Sequence, residues 1–223
     1  IHQQVDAIVL VPIDSKALVQ PAVEAVRKGI PVINIDIQLD AQLLEQAGVE
    51  VAFVGPDNFA AAYEVGKLLD KKLRNEDKVA IIEGLAAADN AQQRKRGFIK
   101  AIEEKGLRLV ASEPADWETE KAAEVFQAMW MRYPDLKAVY CSNDAMALGV
   151  LQQMQEKNCY LPVVGFDNDA VMKEFLSTGK LVATADIFSS QMAVRGIEFA
   201  LDVLEGKIEN RGVHSTAYEI IKQ

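Results

Sequence analysis

Short apolar runs alternate with longer amphipathic segments along the whole chain. The apolar runs are rich in Val and Ile, and most stop at a polar residue, a glycine or a proline. The amphipathic segments carry apolar residues at helical spacing and often follow a residue that can cap a helix. This alternation predicts repeated strand–helix units, and the continuously apolar strands predict a sheet that is buried on both faces.

The predicted elements follow each other regularly, which is typical of an α/β protein with a doubly wound parallel sheet. The strands are predicted at residues 7–11, 30–35, 51–54, 79–82, 107–111, 139–140, 163–166, 181–185 and 217–221. The helices are predicted at residues 18–26, 59–73, 90–105, 119–131, 145–154, 170–176 and 189–204. Ser15 is the predicted cap of the first helix.

The segment KAVYCSNDAMALGVL, residues 137–151, is the clearest single unit. A short apolar run ends in Ser142, Asn143 and Asp144, and apolar residues at helical spacing follow at once. Either Asn143 or Asp144 can cap that helix. Because ligands bind at the carboxyl ends of the strands in an open parallel sheet, these three side chains are the first candidates for a binding site.

The composition allows a large buried core, and the charge narrows the range of partners. Half of the 223 residues are hydrophobic, 26% are charged, and the formal net charge is −9. No apolar run approaches the length of a membrane span, and the negative charge argues against direct contact with nucleic acid. A neutral or cationic small ligand is more compatible with this negative charge than a nucleic acid is. The sequence opens in the middle of a predicted helix-to-strand transition, which suggests a truncated start.

Signatures of enzymes and cofactors are missing. The sequence has no glycine-rich dinucleotide motif, no phosphate-binding loop and no nucleophile elbow. His2 and His214 lie near the two ends of the chain, so neither a histidine-based triad nor a metal site is easy to assemble. Cys141 and Cys159 are predicted at opposite sheet edges, too far apart for a disulfide. We therefore expect reduced, packed cysteines, no catalysis, no metal and no cofactor.

Polar side chains recur where apolar strands stop. Asp36, Asn143 and Asp167 directly follow strands, and Asn90 and Arg94 follow one after a longer loop. Carboxylate, carboxamide and guanidinium groups together supply the acceptors and donors that bind the hydroxyls of a polyol. The pattern indicates sugar-like recognition, although each residue taken alone can equally cap a helix or mark a turn.

Trp117, in the segment PADWE, is the aromatic candidate. An aromatic ring stacked on the C–H face of a sugar contributes through apolar burial, by about 1.5–3 kcal/mol if it is fully covered. The alternative for Trp117 is packing beneath its own loop.

Several segments together resemble the periplasmic sugar-binding proteins of the ribose-binding type. These segments are PVINID, GLAAADNAQQRKRGF, PADW, AVYCSNDAMALGVL and VVGFDND, and the similarity runs in order over essentially all 223 residues. That family shares its two-lobed fold with the effector-binding cores of repressors similar to the lactose repressor.

The resemblance implies two similar doubly wound parallel-sheet lobes joined by a three-crossover hinge, with sugar held in the cleft between them. It gives an N-terminal lobe at residues 1–55 and 188–216, and a C-terminal lobe at residues 56–187 and 217–223. The first lobe is expected to be incomplete, because the opening strand, helix and second strand of the family have no counterpart here. Ligand contacts from that segment stay unassigned.

The resemblance also suggests roles for individual residues. Asp36, Arg94, Asn143 and Asp167 match polar ligand-binding positions of the family, and Trp117 matches its stacking aromatic; Asn90 joins them as a candidate. With Asn143 assigned to the ligand, Asp144 becomes the favoured cap of the helix that follows it. Three departures replace polar positions of the ribose receptors with apolar residues, namely Val11, Ile37 and Ile187. A site that lacks polar partners rejects a ligand that needs them, so ribose itself is disfavoured.

The implied function is an extracytoplasmic solute receptor that closes on a small sugar or polyol and delivers it to an ABC transporter. The partners would be the sugar and the membrane permease, and the location would be the periplasm or another space outside the cytoplasm. Two alternatives are the effector-binding core of a lactose-repressor-like regulator, which would be cytoplasmic, and the sensor domain of a signalling protein. An enzyme is the least favoured class.

Overall fold

The computed structural model describes residues 1–222, apart from the side chain of Asp70, and its strands and helices alternate along the chain. The strands, in chain order, are β1 (Ile8–Leu10), β2 (Val32–Ile35), β3 (Ala52–Pro56), β4 (Lys78–Glu83), β5 (Arg108–Pro114), β6 (Ala138–Cys141), β7 (Val163–Val164), β8 (Leu181–Asp186), β9 (Val213–Thr216) and β10 (Glu219–Lys222).

Eight helices connect or flank these strands within the described residues. They are α1 (Val19–Arg27), α2 (Ala41–Gln46), α3 (Asn58–Asp70), α4 (Asp89–Lys105), α5 (Thr119–Arg132), α6 (Asp144–Glu156), α7 (Met172–Ser177) and α8 (Ser189–Leu204). The chain groups into two compact units. Unit 1 contains Ile1–Asp57, Ala87–Asn90 and Phe188–Ala217, and unit 2 contains Asn58–Ala86, Ala91–Ile187 and Tyr218–Gln223.

Unit 1 is built on a parallel four-stranded sheet in the order β1-β2-β3-β9. All four residues of β2 are buried, as expected for a strand covered on both faces. On one face, α1 and α2 bury Val19, Val23 and Leu44 in a cluster with Val32 of the sheet. Separately, Ala200 of α8 packs in a cluster with strand residues of β2 and β3.

Unit 2 is built on a six-stranded sheet in the order β10-β8-β7-β6-β4-β5. Its strands run parallel except β10, which pairs antiparallel with β8 at the edge. The chain leaves β4 toward one side, to β5, and then returns to β6 on the other side of β4. This reversal is the topological switch point where doubly wound sheets place their ligands.

The fold class predicted from the sequence is confirmed, and several element boundaries shift. α8 covers the predicted residues, whereas α2 and β9 were not predicted. The predicted cap of α1 is wrong, because its N-cap is Leu18 and makes no side-chain cap. Ser15 instead accepts a hydrogen bond on Oγ from Asp89 N at 2.9 Å, and its own N donates to Ala87 O at 3.0 Å.

These contacts of Ser15 also explain a difference from the predicted lobe boundaries. The sequence places residues 87–90 in the second lobe, whereas the structure groups Ala87–Asn90 with unit 1. This loop is tied to unit 1 by the two hydrogen bonds to Ser15. The first two residues of α4 therefore belong to a different unit from the rest of that helix.

Two further expectations from the sequence concern membrane spans and disulfides. Within residues 1–222 no helix has the length and apolar character that a membrane crossing needs. Cys141 and Cys159 are both free thiols, as predicted; Cys141 is buried in β6 and Cys159 is half-buried. Burial raises the pKa of the Cys141 thiol far above its ordinary range, so this thiol is chemically inert.

Candidate functional site

A buried arginine lies at the centre of the polar residues of unit 2. Arg94 projects from the second turn of α4, and only 3% of its side chain is exposed. Its Nε donates to Asn58 Oδ1 at 2.9 Å, and its Nη1 donates to Ser142 O at 2.8 Å and to Asp167 Oδ1 at 3.3 Å. A buried guanidinium needs such partners, because desolvation of an unpaired charge is strongly unfavourable.

Two aromatic rings flank the guanidinium of Arg94. Its Cζ lies 3.7 Å from the ring centroid of Phe166 and 5.6 Å from that of Trp117. Both distances are within the range of cation–π attraction, and the shorter one places the planar group directly on the Phe166 ring. The rings and the hydrogen bonds together fix the orientation of the arginine.

Trp117 lies against the end of β4 in an unusual backbone conformation. Its φ is 71°, and a Cβ added to Gly84 would lie only 2.0 Å from Trp117 Cη2. The indole ring therefore covers the chain at Gly84, where no other residue type leaves room for it. The ring is half-buried, so packing accounts for part of its surface, and stacking on a ligand stays a prediction for the remainder.

The helix α6 is capped by Asn143 and not by Asp144. Asn143 is the N-cap of α6, and its Oδ1 accepts a hydrogen bond from Met146 N at 2.9 Å. The expectation that Asp144 is the cap is wrong, because Asp144 is fully buried and its carboxylate points to the loop after β7. The cap uses only the carbonyl oxygen of Asn143, which leaves the role of its Nδ2 as a ligand donor a prediction.

Asp167 stands at the start of the loop after β7. Its backbone φ is 110°, its N donates to Ala185 O at 2.7 Å, and 30% of its side chain is exposed. A non-glycine residue in this conformation is strained, and such strain persists only where the surroundings impose it. The carboxylate is thereby held beside Arg94 while part of it still faces solvent.

Burial and charge perturb the carboxyl group next to this site. Burial raises the pKa of Asp144 to about 7. Hydrogen bonds from the Asp169 amide and the Thr184 hydroxyl oppose the rise, and the negative charges of Asp167 and Asp169 add to it. Asp144 therefore titrates near neutral pH.

The remaining two candidates belong to unit 1. Asp36 follows β2 with φ of 66°, and its side chain is half-buried. Asn90 is 5% exposed, and its Oδ1 has no hydrogen-bond partner among residues 1–222. A buried acceptor without a partner is unfavourable, and a ligand hydroxyl or a water can satisfy it.

The structure thus brings Arg94, Trp117 and Asp167 into contact within unit 2, and Asn143 directly follows the Ser142 carbonyl that Arg94 binds. Sequence reasoning missed Phe166, although it precedes Asp167 in the segment VVGFDND. It also missed Asn58, whose only signal was its place near the start of α3. Among the described residues, no group of three His, Cys, Asp or Glu side chains is arranged to hold a metal ion.

Comparison with known proteins identifies the family of this chain. Residues 1–208 match the model of a family described as a periplasmic binding protein domain. The chain belongs to this family. The relatives named below are described as sugar-binding proteins or hold a bound sugar, and none of them is described as an enzyme.

Three relatives of this periplasmic binding protein domain show the extent of the similarity. The D-ribose/D-allose-binding protein of Pseudomonas aeruginosa is 42% identical over 222 residues, which cover 97% of this chain and 70% of that protein. The D-allose-binding periplasmic protein of Escherichia coli is 35% identical over 200 residues, 87% of this chain and 64% of that protein.

The third relative is a solved structure, an ABC transporter periplasmic solute-binding protein from Actinobacillus succinogenes with bound D-allose. It superposes with a TM-score of 0.92 at 32% identity and covers 99% of this chain and 79% of that chain. These comparisons support the transport receptor predicted from the sequence and give no support to the repressor core.

Proposed function

We propose that this chain binds a small sugar or polyol at the carboxyl ends of β4, β6 and β7, and that the protein delivers it to an ABC transporter. The observation that supports this most directly is the buried Arg94, paired with Asp167 and flanked by two aromatic rings at the switch point of the sheet. A sugar presents hydroxyl groups and an apolar C–H face. The charged groups of this surface can hydrogen-bond the hydroxyls, and its aromatic rings can stack on the C–H face.

The side chains divide the work of recognition. The contacts of Arg94 described above use three of its five N–H donors, so two donors are left for ligand hydroxyls. Asp167 is the acceptor for a hydroxyl, and the Nδ2 of Asn143 is a further donor. Trp117 supplies the apolar face. In unit 1 the proposed acceptors are Asp36 and Asn90, whose Oδ1 has no hydrogen-bond partner in the part of the chain that the structure describes.

The chemical class of the ligand follows from the relatives and from the three apolar departures. D-Allose is the first candidate, because two of the relatives named above are described as D-allose-binding and the third holds D-allose. Val11, Ile37 and Ile187 keep D-ribose disfavoured. The permease of an ABC transporter is the proposed protein partner, and the periplasm or another extracytoplasmic space is the proposed location.

Calorimetric titration of the full protein with D-allose, D-ribose and a panel of other monosaccharides tests the proposal. We expect at least one of these sugars to bind with a dissociation constant well below about 1 mM. If every sugar in the panel binds more weakly than that, sugar binding is refuted.

The same titration tests the residues. Arg94→Ala and Asp167→Ala are each expected to weaken binding by about 2–5 kcal/mol, because each leaves a desolvated partner unpaired. Arg195→Ala and Asp135→Ala are matched controls, since these side chains are exposed and their ion pairs lie on the surface. Unchanged affinity in both site variants would show that the site is placed wrongly.

A further inference from the structure

Asp144 has an environment that its place at a helix N-terminus does not explain. The side chain is 0% exposed, and both carboxylate oxygens accept hydrogen bonds. Oδ1 accepts from Phe166 N and from Thr184 Oγ1, each at 2.9 Å, and Oδ2 accepts from Asp169 N at 2.8 Å. None of these donors belongs to α6, so the carboxylate serves another part of the unit.

The groups that Asp144 binds enclose a strained loop. Asp167 and Asn168 have φ of 110° and 59°, and they lie between the two amides that donate to Asp144. Thr184 links a further loop amide to Asp144, since its Oγ1 donates to Asp144 and accepts from Asn168 N at 3.2 Å. Three of the four amides at residues 166–169 are therefore tied to one carboxylate, directly or through Thr184; the exception is the amide of Asp167, which donates to Ala185 O.

The carboxylate of Asp144 packs closely against the backbone at Gly165. A Cβ on Gly165 would lie 2.0 Å from Asp144 Oδ1. A backbone hydrogen bond runs in the opposite direction, since Asp144 N donates to Phe166 O at 2.7 Å. The backbone of residues 165 and 166 is thus clamped against the start of α6.

This loop carries two groups of the proposed sugar site. The Phe166 ring lies under the guanidinium of Arg94, and the Asp167 carboxylate accepts from it. Displacement of the loop moves both at once.

We propose that Asp144 is a positioning residue for the ligand site, whose ionised carboxylate holds Phe166 and Asp167 in their binding positions through the amides of the loop after β7. This inference rests on the proposed function, because it assigns Asp144 a role in the same site. Asp144 itself does not touch the ligand.

The proposal makes binding depend on pH. When Asp144 is protonated, one of its oxygens becomes a hydroxyl that faces N–H or O–H donors and can no longer accept all three hydrogen bonds. The loop after β7 therefore loses at least one of the hydrogen bonds that hold it. The titratable groups that act on Asp144 are Asp167 and Asp169 of the loop and Cys141 of β6, while β8 presents the neutral Thr184. We expect affinity to fall as the pH drops from about 8 to about 5.5.

Asp144→Asn is the central variant. It keeps the shape of the side chain, and its Oδ1 still accepts two hydrogen bonds, but its Nδ2 faces the donor Asp169 N. We expect D-allose to bind about tenfold more weakly at neutral pH, with the pH dependence assigned to Asp144 abolished. Asp40→Asn is the matched control, since Asp40 caps α2 in unit 1 through Leu43 N. Unchanged affinity and an unchanged pH profile in Asp144→Asn would overturn the proposal.

Hydrogen exchange measured without ligand separates this inference from the proposed function. The amides of Phe166 and Asp169 are expected to exchange about tenfold faster in Asp144→Asn than in the wild type. If the wild type binds no sugar, the proposed function fails, and the exchange rates still decide whether Asp144 holds the loop. Equal exchange rates of these two amides in both proteins would refute the proposal that Asp144 holds the loop.

Thr184→Val covers the case in which Asp144→Asn does not fold, as judged by circular dichroism. It removes the hydroxyl that links Asp144 to Asn168 N and keeps the volume of the side chain. We expect faster exchange of the Asn168 amide and binding of D-allose weakened by about threefold. Wild-type behaviour of Thr184→Val in both measurements would contradict the proposal.

Discussion

Asn143 combines a structural group and a proposed ligand group in one side chain. Its Oδ1 caps α6 through Met146 N, and its Nδ2 is the proposed donor to ligand. Serine keeps a cap acceptor and lacks the amide donor, whereas alanine lacks both. The two substitutions therefore separate the two roles.

We expect Asn143→Ala to lower the free energy of unfolding by about 1 kcal/mol, the usual effect of losing a helix cap. Asn143→Ser should lose only a few tenths of a kcal/mol, while both variants bind sugar more weakly by a similar factor. Urea unfolding and calorimetric titration measure the two effects. If Asn143→Ser binds as tightly as the wild type, Nδ2 is not a ligand donor.

The same pair of residues shows where residue-level prediction from the sequence stops. Strand, polar triplet and helix were correctly predicted around Asn143, because apolar periodicity and capping are local properties. The burial of Asp144 was not, because its partners Phe166, Asp169 and Thr184 are far away in sequence. Arg94 and Asp167 were singled out, but Phe166 was missed, since its role depends on the packing of two distant elements.

At the scale of secondary structure, Asn34 links elements of unit 1. It lies within β2 and is 1% exposed. Its Nδ2 donates to Leu10 O of β1 at 3.3 Å and to Ile37 O at 2.8 Å, and its Oδ1 accepts from Leu39 N at 2.7 Å. One amide thus joins two strands to the turn that contains Asp36.

Asn34→Ala is expected to lower the free energy of unfolding by about 2–4 kcal/mol, because it leaves buried backbone groups without partners. Asn34→Asp keeps the acceptor for Leu39 N and loses both donors, and it buries a charge in addition, so it should be at least as destabilising. Chemical denaturation followed by circular dichroism measures both. A loss below about 0.5 kcal/mol in Asn34→Ala would show that the turn relaxes without cost.

Element prediction succeeded where a pattern was long and failed where it was short. α8 has sixteen residues with a consistent apolar face, and its limits were predicted correctly. α2 has six residues, and its signal was the cap Asp40, which accepts from Leu43 N. β9 was missed because three of its four residues are exposed, so it lacks the apolar run that marks a strand.

At the scale of the whole molecule, the titration of Asp144 links stability to pH. Because its pKa is raised to about 7 in the folded protein, the native state binds more protons than the unfolded state between about pH 4 and pH 7. This group therefore contributes stability at low pH that is lost as the pH rises through about 7.

We expect the free energy of unfolding of the wild type, relative to Asp144→Asn, to fall by about 1–3 kcal/mol between about pH 5 and pH 8. Urea unfolding at a series of pH values measures this difference. The comparison removes the contributions of all other titrating groups that the two proteins share. A difference that stays constant with pH would place the pKa of Asp144 outside this window.

The division of each unit among separate stretches of chain affects how the protein is made. The sheet of unit 1 receives β9 only after all the strands of unit 2 except β10 have been synthesised, and α8 also comes late. A nascent chain leaving the ribosome therefore has β1, β2 and β3 available long before the elements that complete their sheet. Unit 2 needs only β10 from the end of the chain, so its core can consolidate first, while the edge of β3 that β9 later covers stays unpaired and open to premature association.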